Sequence, residues 1–166
     1  LLISYEGVRG SNGLKHRGLT GNAAIAAAIG MDVLFGASAV SGTTDPKVIS
    51  LAIMAFFYSL ARELIKDIED MEGDIDRNTI PRSIGVDNAR SIAWIFTMAA
   101  FVSLFLPFIL EVFPTEHAIL VSPGGLLLML VKSKLFIGED RAAQRLIKRS
   151  LQISMIGVIA SAIIIG

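Results

Sequence analysis

Six of the ten residues from Asp67 to Asp76 are acids: Asp67, Glu69, Asp70, Glu72, Asp74 and Asp76. They stand in a chain of 166 residues that is 53% hydrophobic. So much negative charge beside so apolar a chain is costly unless a cation neutralises it. Mg²⁺ is the natural candidate, because it is commonly held by a few carboxylates together with phosphate oxygens. That pairing points to an enzyme in or at a membrane, acting on a lipid diphosphate. Asp67, Asp70 and Asp74 are spaced i, i+3 and i+7, which on a helix puts them on one face. As metal ligands, these three could hold Mg²⁺ and leave coordination positions open for diphosphate oxygens. Glu69, Glu72 and Asp76 fall on other sides and read as solvated. An EF-hand is excluded: counted from Asp74, Thr79 stands where the tight-turn Gly belongs and Gly85 where the bidentate Glu belongs. The remaining alternative is an acidic helix end that binds nothing. Against it, like charges one turn apart repel, and a neighbouring low-dielectric medium strengthens the repulsion.

The elements that must position these acids are apolar and long. Five segments stand out, at Gly21–Val40, Val48–Lys66, Ser91–Leu110, Ala118–Phe136 and Ser150–Gly166. A bilayer crossing needs about 20 residues per helix. The second segment reaches that length only by including Arg62 and Glu63, and the fourth only by continuing past Lys132, so those charges face a polar cavity or snorkel to the surface. Pro123-Gly124-Gly125 predicts a break or kink in the fourth helix, and Pro107 a kink in the third. The fold class expected is an all-α polytopic transmembrane bundle. A soluble all-α bundle is the poorer reading, because the runs are too long and too uniformly apolar. The opening Leu1-Leu2-Ile3-Ser4-Tyr5 reads as the end of a further apolar helix, which suggests a fragment.

The connections alternate in character. Glu6–Leu19, Asp67–Arg90 and Ile137–Arg149 are long and polar; Ser41–Lys47 and Glu111–His117 are short. Of the 15 Lys and Arg, only Lys47 lies on the short set. By the positive-inside rule the long connections, and with them the acids, face the cytoplasm of a multi-pass cell-membrane protein. Balanced net charge says nothing about a partner, and no nucleic acid is expected. The absence of cysteine excludes disulfides, thiolate metal sites and a Cys nucleophile. No signal peptide is visible.

One stretch, Arg62-Glu63-Leu64-Ile65-Lys66-Asp67-Ile68-Glu69-Asp70-Met71-Glu72-Gly73-Asp74, followed by Asn78-Thr79-Ile80-Pro81 and Ile84-Gly85, resembles the UbiA superfamily of intramembrane prenyltransferases. It matches the family's second aspartate-rich motif, with Asp70 and Asp74 as its D-x-x-x-D pair. The wording is nearest the archaeal digeranylgeranylglyceryl phosphate synthase branch. Leu14-Lys15-His16-Arg17-Gly18-Leu19-Thr20-Gly21-Asn22 resembles the family's basic loop before a Gly-Asn. Three features depart from the pattern. His16 takes the usual Arg place, Arg77-Asn78 stands where Gly is typical, and the first aspartate-rich motif is absent. The resemblance therefore implies that residues 1–166 are the C-terminal portion of a single membrane prenyltransferase domain. The five spans and the end of another would be part of a roughly nine-helix bundle. The missing N-terminal portion would carry the first motif and half of the metal site.

The resemblance implies Mg²⁺-dependent transfer of a prenyl group, geranylgeranyl for this branch, from its diphosphate to a hydroxyl of a glycerophosphate lipid. Asp70 and Asp74 would be catalytic. Lys15, Arg17, Arg9, Asn22, Arg62 and Lys66 are the candidate substrate-binding residues, with Arg suited to phosphate by its planar fork and Lys as a point charge. The basic residues equally suit a topological role, and Arg62, Glu63 and Lys66 equally suit pairing among themselves. Phe56, Phe57 and Tyr58 are candidates for the wall of a tail cavity, or for packing. Asp32, an acid in mid-span, is a functional candidate by position. His117 reads as interfacial. Arg141, Arg145, Lys148 and Arg149 share a helix face and read as meeting lipid headgroups, or the acceptor's phosphate. The competing functions are an aromatic prenyltransferase of the same superfamily and a cation transporter with an acidic vestibule. A CDP-alcohol phosphotransferase is excluded: Asp87-Asn88-Ala89-Arg90 mimics only the end of its motif, and no acid follows before Glu111.

Overall fold

The computed structural model describes residues 18–41, 45–71, 73 and 78–165, and among these the chain is all-α. Five long helices run through it: α1 (Leu19–Ser41), α2 (Pro46–Glu69), α4 (Val86–Ile109), α5 (Ala118–Phe136) and α6 (Asp140–Ile165). A short helix α3 (Ile80–Ile84) lies between α2 and α4, and a single 3-10 turn (Thr115–His117) precedes α5. The long helices have 23, 24, 24, 19 and 26 residues, about 28 to 39 Å at 1.5 Å per residue. All five are long and apolar enough to cross a membrane. Exposed Phe35, Ile109, Ile119 and Ile156 match such surroundings, since a lipid-facing helix has no need of a polar face.

Residue contacts fix the helix directions. Asn22 meets Asp67, and Gly30 packs on Ala52 and Phe56, so α1 and α2 are antiparallel. Tyr58 reaches Ser150 and Ser154, while Glu69 reaches Arg141, so α2 and α6 are antiparallel too. The acidic end of α2 therefore shares one face of the bundle with the N-termini of α1, α4 and α6 and the C-terminus of α5. At the far end of α2, Asp45 caps the helix by accepting from the Lys47 amide at 2.7 Å, and Pro46 occupies the first turn, where its missing N–H costs nothing.

The α5–α6 seam is the tightest in the molecule. Gly124 and Gly157 bring the two backbones together: a Cβ on Gly157 would lie 2.4 Å from the Leu120 carbonyl, and one on Gly124 would lie 3.1 Å from the Ser150 carbonyl. Ser150, Ser154 and Ser161 line the same face of α6, fully buried. Small residues permit close approach where helices gain little from hydrophobic burial. The hydroxyls are all matched: Ser150 donates to the Gly124 carbonyl at 2.7 Å, Tyr58 bonds to Ser150 and Ser154 at 2.8 and 3.2 Å, and Ser161 bonds to His117 Nδ1 at 2.9 Å.

Several expectations change here. Helix α5 is continuous through Pro123-Gly124-Gly125. Proline removes the amide that would bond to Ile119, but the Ser122 hydroxyl donates to the Ile119 carbonyl at 2.8 Å in its place. The polar connection expected at Ile137–Arg149 is only three residues, 137–139, because the helix begins at Asp140 and carries its cations on its first turns. Likewise α4 begins at Val86, not Ser91. Asp32 is exposed, not buried: α1 packs through a stripe of Asn22, Ala26 and Gly30, and Asp32 lies off it.

Candidate functional site

The two stretches singled out by sequence meet at one end of the bundle. Asn22, in the first turn of α1, donates from Nδ2 to Asp67 Oδ2 at 2.8 Å across 45 residues of chain. Both side chains are buried, at 3% and 7% exposure. A second contact supports the first. Gly18 holds a left-handed conformation with φ of +52°. It packs so closely on residues 78–80 that a Cβ there would lie 3.4 Å from the Asn78 carbonyl. The start of α1 thus rests on the segment that follows the acidic run.

Helix α2 stops at Glu69. Asp70 is its C-cap, its amide bonding to the Lys66 carbonyl at 2.9 Å, and the Gly73 amide turns back to the Asp70 carbonyl at 3.0 Å. The helical i, i+3 relation therefore covers Asp67 and Asp70. Asp74, and with it Lys15, Arg17 and Arg9, lies outside the described residues. Asp67 is buried against α1, whereas the Asp70 side chain is exposed. Three carboxylates, Asp67, Glu69 and Asp70, thus gather at the C-terminal end of α2, where the helix dipole is itself negative. Such an end attracts a cation.

Part of that demand is met from within the chain. Glu69 is not simply solvated: it accepts from Arg141 Nε of α6 at 2.8 Å. Arg82 of α3 donates from Nη2 to the Met71 carbonyl at 2.6 Å and ties down the turn. Beside it, Arg90 of α4 grips Asp140 of α6 through two bonds of 3.1 and 2.8 Å. Glu69, Met71, Arg90, Asp140, Arg141 and Arg145 border a cleft of about 680 Å³ between α2, α4 and α6. No spacing in the sequence signals the Arg90–Asp140 or Glu69–Arg141 pairs; both join residues at least 50 apart and only the fold reveals them.

The other candidates divide. Arg62 pairs with its neighbour Glu63 at 2.9 Å, and Lys66 is exposed. Phe56 and Phe57 meet edge to face at 5.2 Å and line an apolar cleft of about 450 Å³ with Ala27, Gly30 and Leu34. Tyr58 is no part of it; it is 1% exposed and bonded into the α5–α6 seam. Thr79, in the Thr-Ile-Pro segment, has a buried hydroxyl with no partner among the described residues.

A metal can be weighed against these side chains. Among the described residues no group of three His, Cys, Asp or Glu forms a ready-made cation site. Asp67 and Asp70 provide two carboxylates, which is the protein contribution usual for Mg²⁺ that also binds substrate phosphate and water. The donor set is all oxygen, as a hard cation requires.

The model of the UbiA prenyltransferase family matches residues 1–156. Digeranylgeranylglyceryl phosphate synthase of Haloquadratum walsbyi is 32% identical over 148 residues, which cover 88% of this chain and 50% of that protein. The protein of the same name in Halobacterium salinarum is 33% identical over 138 residues, 82% of this chain and 49% of that protein. The one in Thermococcus gammatolerans is 40% identical over 101 residues, 57% and 34%. The chain thus spans about half the length of the first two. No solved structure matches.

Proposed function

Because this chain belongs to the UbiA prenyltransferase family, we propose that the protein transfers a geranylgeranyl group from its diphosphate to a hydroxyl of a glycerophosphate lipid precursor. The contact between Asn22 and Asp67 carries this reading, since it unites the two motif-like stretches at the end where Asp70 is exposed. The similarity to proteins named digeranylgeranylglyceryl phosphate synthase favours the lipid acceptor over an aromatic one.

In the transfer, the bond from the allylic carbon to the diphosphate oxygen breaks and the diphosphate leaves with the electron pair. The acceptor hydroxyl oxygen bonds to the allylic cation and gives up its proton to the released diphosphate. No nucleophile comes from the protein. Asp67, Asp70 and Asp74 would hold Mg²⁺, which when bound offsets the charge of the departing diphosphate. Asn22 orients Asp67 for this task. Lys15, Arg17 and Arg9 offer positive charge to phosphate groups, and Arg62 and Lys66 do so from the last turns of α2. The prenyl tail lies along the apolar cleft lined by Phe56 and Phe57, whose ring faces favour a passing cation. The charge asymmetry of the connections supports a cytoplasmic position for the acidic end.

The test uses the full-length protein with geranylgeranyl diphosphate and, in parallel, geranylgeranylglyceryl phosphate or an aromatic acid. Product forms only with the phosphate lipid, and chelation of Mg²⁺ stops it. Asp70→Asn lowers turnover by about a hundredfold or more, by removing a ligand to a charge-stabilising ion, while folding persists because the side chain is exposed. Normal turnover of Asp70→Asn refutes the site, and product with the aromatic acid alone refutes the acceptor.

A further inference from the structure

We infer that the outer mouth of the α5–α6 hairpin is a binding site for an anionic phospholipid of the surrounding bilayer, next to the cleft at the acidic end of α2 and sharing Arg145 with it. Lys134 of α5 and Arg145 and Arg149 of α6 line one small cleft of about 190 Å³, with Ala142 and Leu146 between them and no carboxylate in its walls. Lys134 is bonded to Glu139 at 2.8 Å. Arg145 and Arg149 are exposed, with no ion pair among the described residues.

The neighbouring arginines behave differently. Arg141, one turn before Arg145 on the same helix, is matched by Glu69, and Arg90 is matched by Asp140 and Asp87. Arg149 lies on the α5 side alone; Arg145 borders both this cleft and the larger one lined by Glu69, Glu139 and Asp140, yet neither arginine forms an ion pair among the described residues. Two guanidinium groups at i and i+4 repel unless an anion lies between them, and their planar forks suit phosphate oxygens.

What lies below the cations selects a lipid over a free anion. Leu130 and Leu126 stand one and two turns deeper on α5, and Ile153 and Ile156 stand deeper on α6, all exposed. A phosphate head held by Arg145 and Arg149 would leave its hydrocarbon chains beside those residues. Long basic side chains at a helix end reach outward to the interface, and each cation near an anionic surface contributes about a fivefold gain in binding.

Native mass spectrometry of the full-length protein, with phosphatidylglycerol or phosphatidylcholine in a neutral detergent, tests this. The wild type retains phosphatidylglycerol in preference to phosphatidylcholine. The double variant Arg145→Gln, Arg149→Gln binds it about thirtyfold more weakly, with an unchanged thermal transition. Arg141→Gln stays within about twofold of the wild type, its charge being already matched. Equal retention of both lipids, an unaffected double variant, or an equal loss in Arg141→Gln overturns the inference. So does displacement of the lipid by inorganic phosphate, which would mark a free-anion site. Should the double variant not fold, wild-type retention decides: raising salt from 0.1 to 1 M shortens screening from about 10 to about 3 Å, and phosphatidylglycerol binding that does not fall rejects the site.

Discussion

The α5–α6 seam and the α1–α2 crossing are built from the same kinds of residue to opposite ends. At the seam, two glycines and three serines bring the backbones together, and each buried hydroxyl has a partner. At the crossing, Gly30 makes one close approach to α2, and the Asn22–Asp67 bond ties the helix ends. Off its stripe of Asn22, Ala26 and Gly30, α1 leaves large side chains uncovered, with Phe35 79% exposed. The seam is complete in its polar bonding. The crossing ends in gathered carboxylates, one of them exposed, at the negative end of a helix. The difference separates the part of the molecule that gives rigidity from the part that has bonding capacity left for a ligand.

The largest test of this contrast is steric. Gly157→Leu forces a side chain against the Leu120 backbone and costs about 3 kcal/mol or more, read as loss of the cooperative thermal transition in detergent. Gly30→Leu costs about 1 kcal/mol, because α1 is packed along one stripe and can shift. Equal damage from both would erase the distinction between the two regions. The next test is chemical. Asn22→Ala lowers turnover of the full-length protein ten- to a hundredfold, as loss of an orienting partner does, with little change in the thermal transition. If stability falls while turnover per folded molecule holds, the Asn22–Asp67 bond belongs to the scaffold. The smallest effect is at Tyr58→Phe. It removes a hydroxyl from the seam and costs about 1 kcal/mol, with turnover unchanged; a tenfold fall in turnover would show that the seam reaches into the chemistry.

The spans were legible in the sequence because hydrocarbon demands uninterrupted apolar runs, and five such runs were there to find. Their ends were less legible. Charge density suggested a loop from Ile137 to Arg149, but Arg141, Arg145, Lys148 and Arg149 sit at helical spacing on α6, where long side chains can reach water from the first turns. Pro123 signalled a break, and the compensating Ser122 hydroxyl is visible only as a contact. At the site, Asn22 and Asp67 were both recognisable as candidates from their motifs. Their pairing was not, because spacing along the chain carries no information across 45 residues. Tyr58 read like its neighbours Phe56 and Phe57, yet one residue along a helix is a rotation of about 100°, and that turns it from the α1 side into the seam.

The three-residue tether between α5 and α6 has a consequence for how this protein varies between species. Joined so closely, the two helices meet without a long search, and backbone contact holds them once met. Their outward residues, Ile119, Leu126, Leu130 and Ile156 among them, are more than half exposed among the described residues. Substitutions should therefore accumulate on the outer side of each helix, with Leu, Ile, Val and Phe exchanging freely. Where the backbones meet, at Gly124 and Gly157, there is no room for a larger side chain, so the history of those positions should be one of near silence.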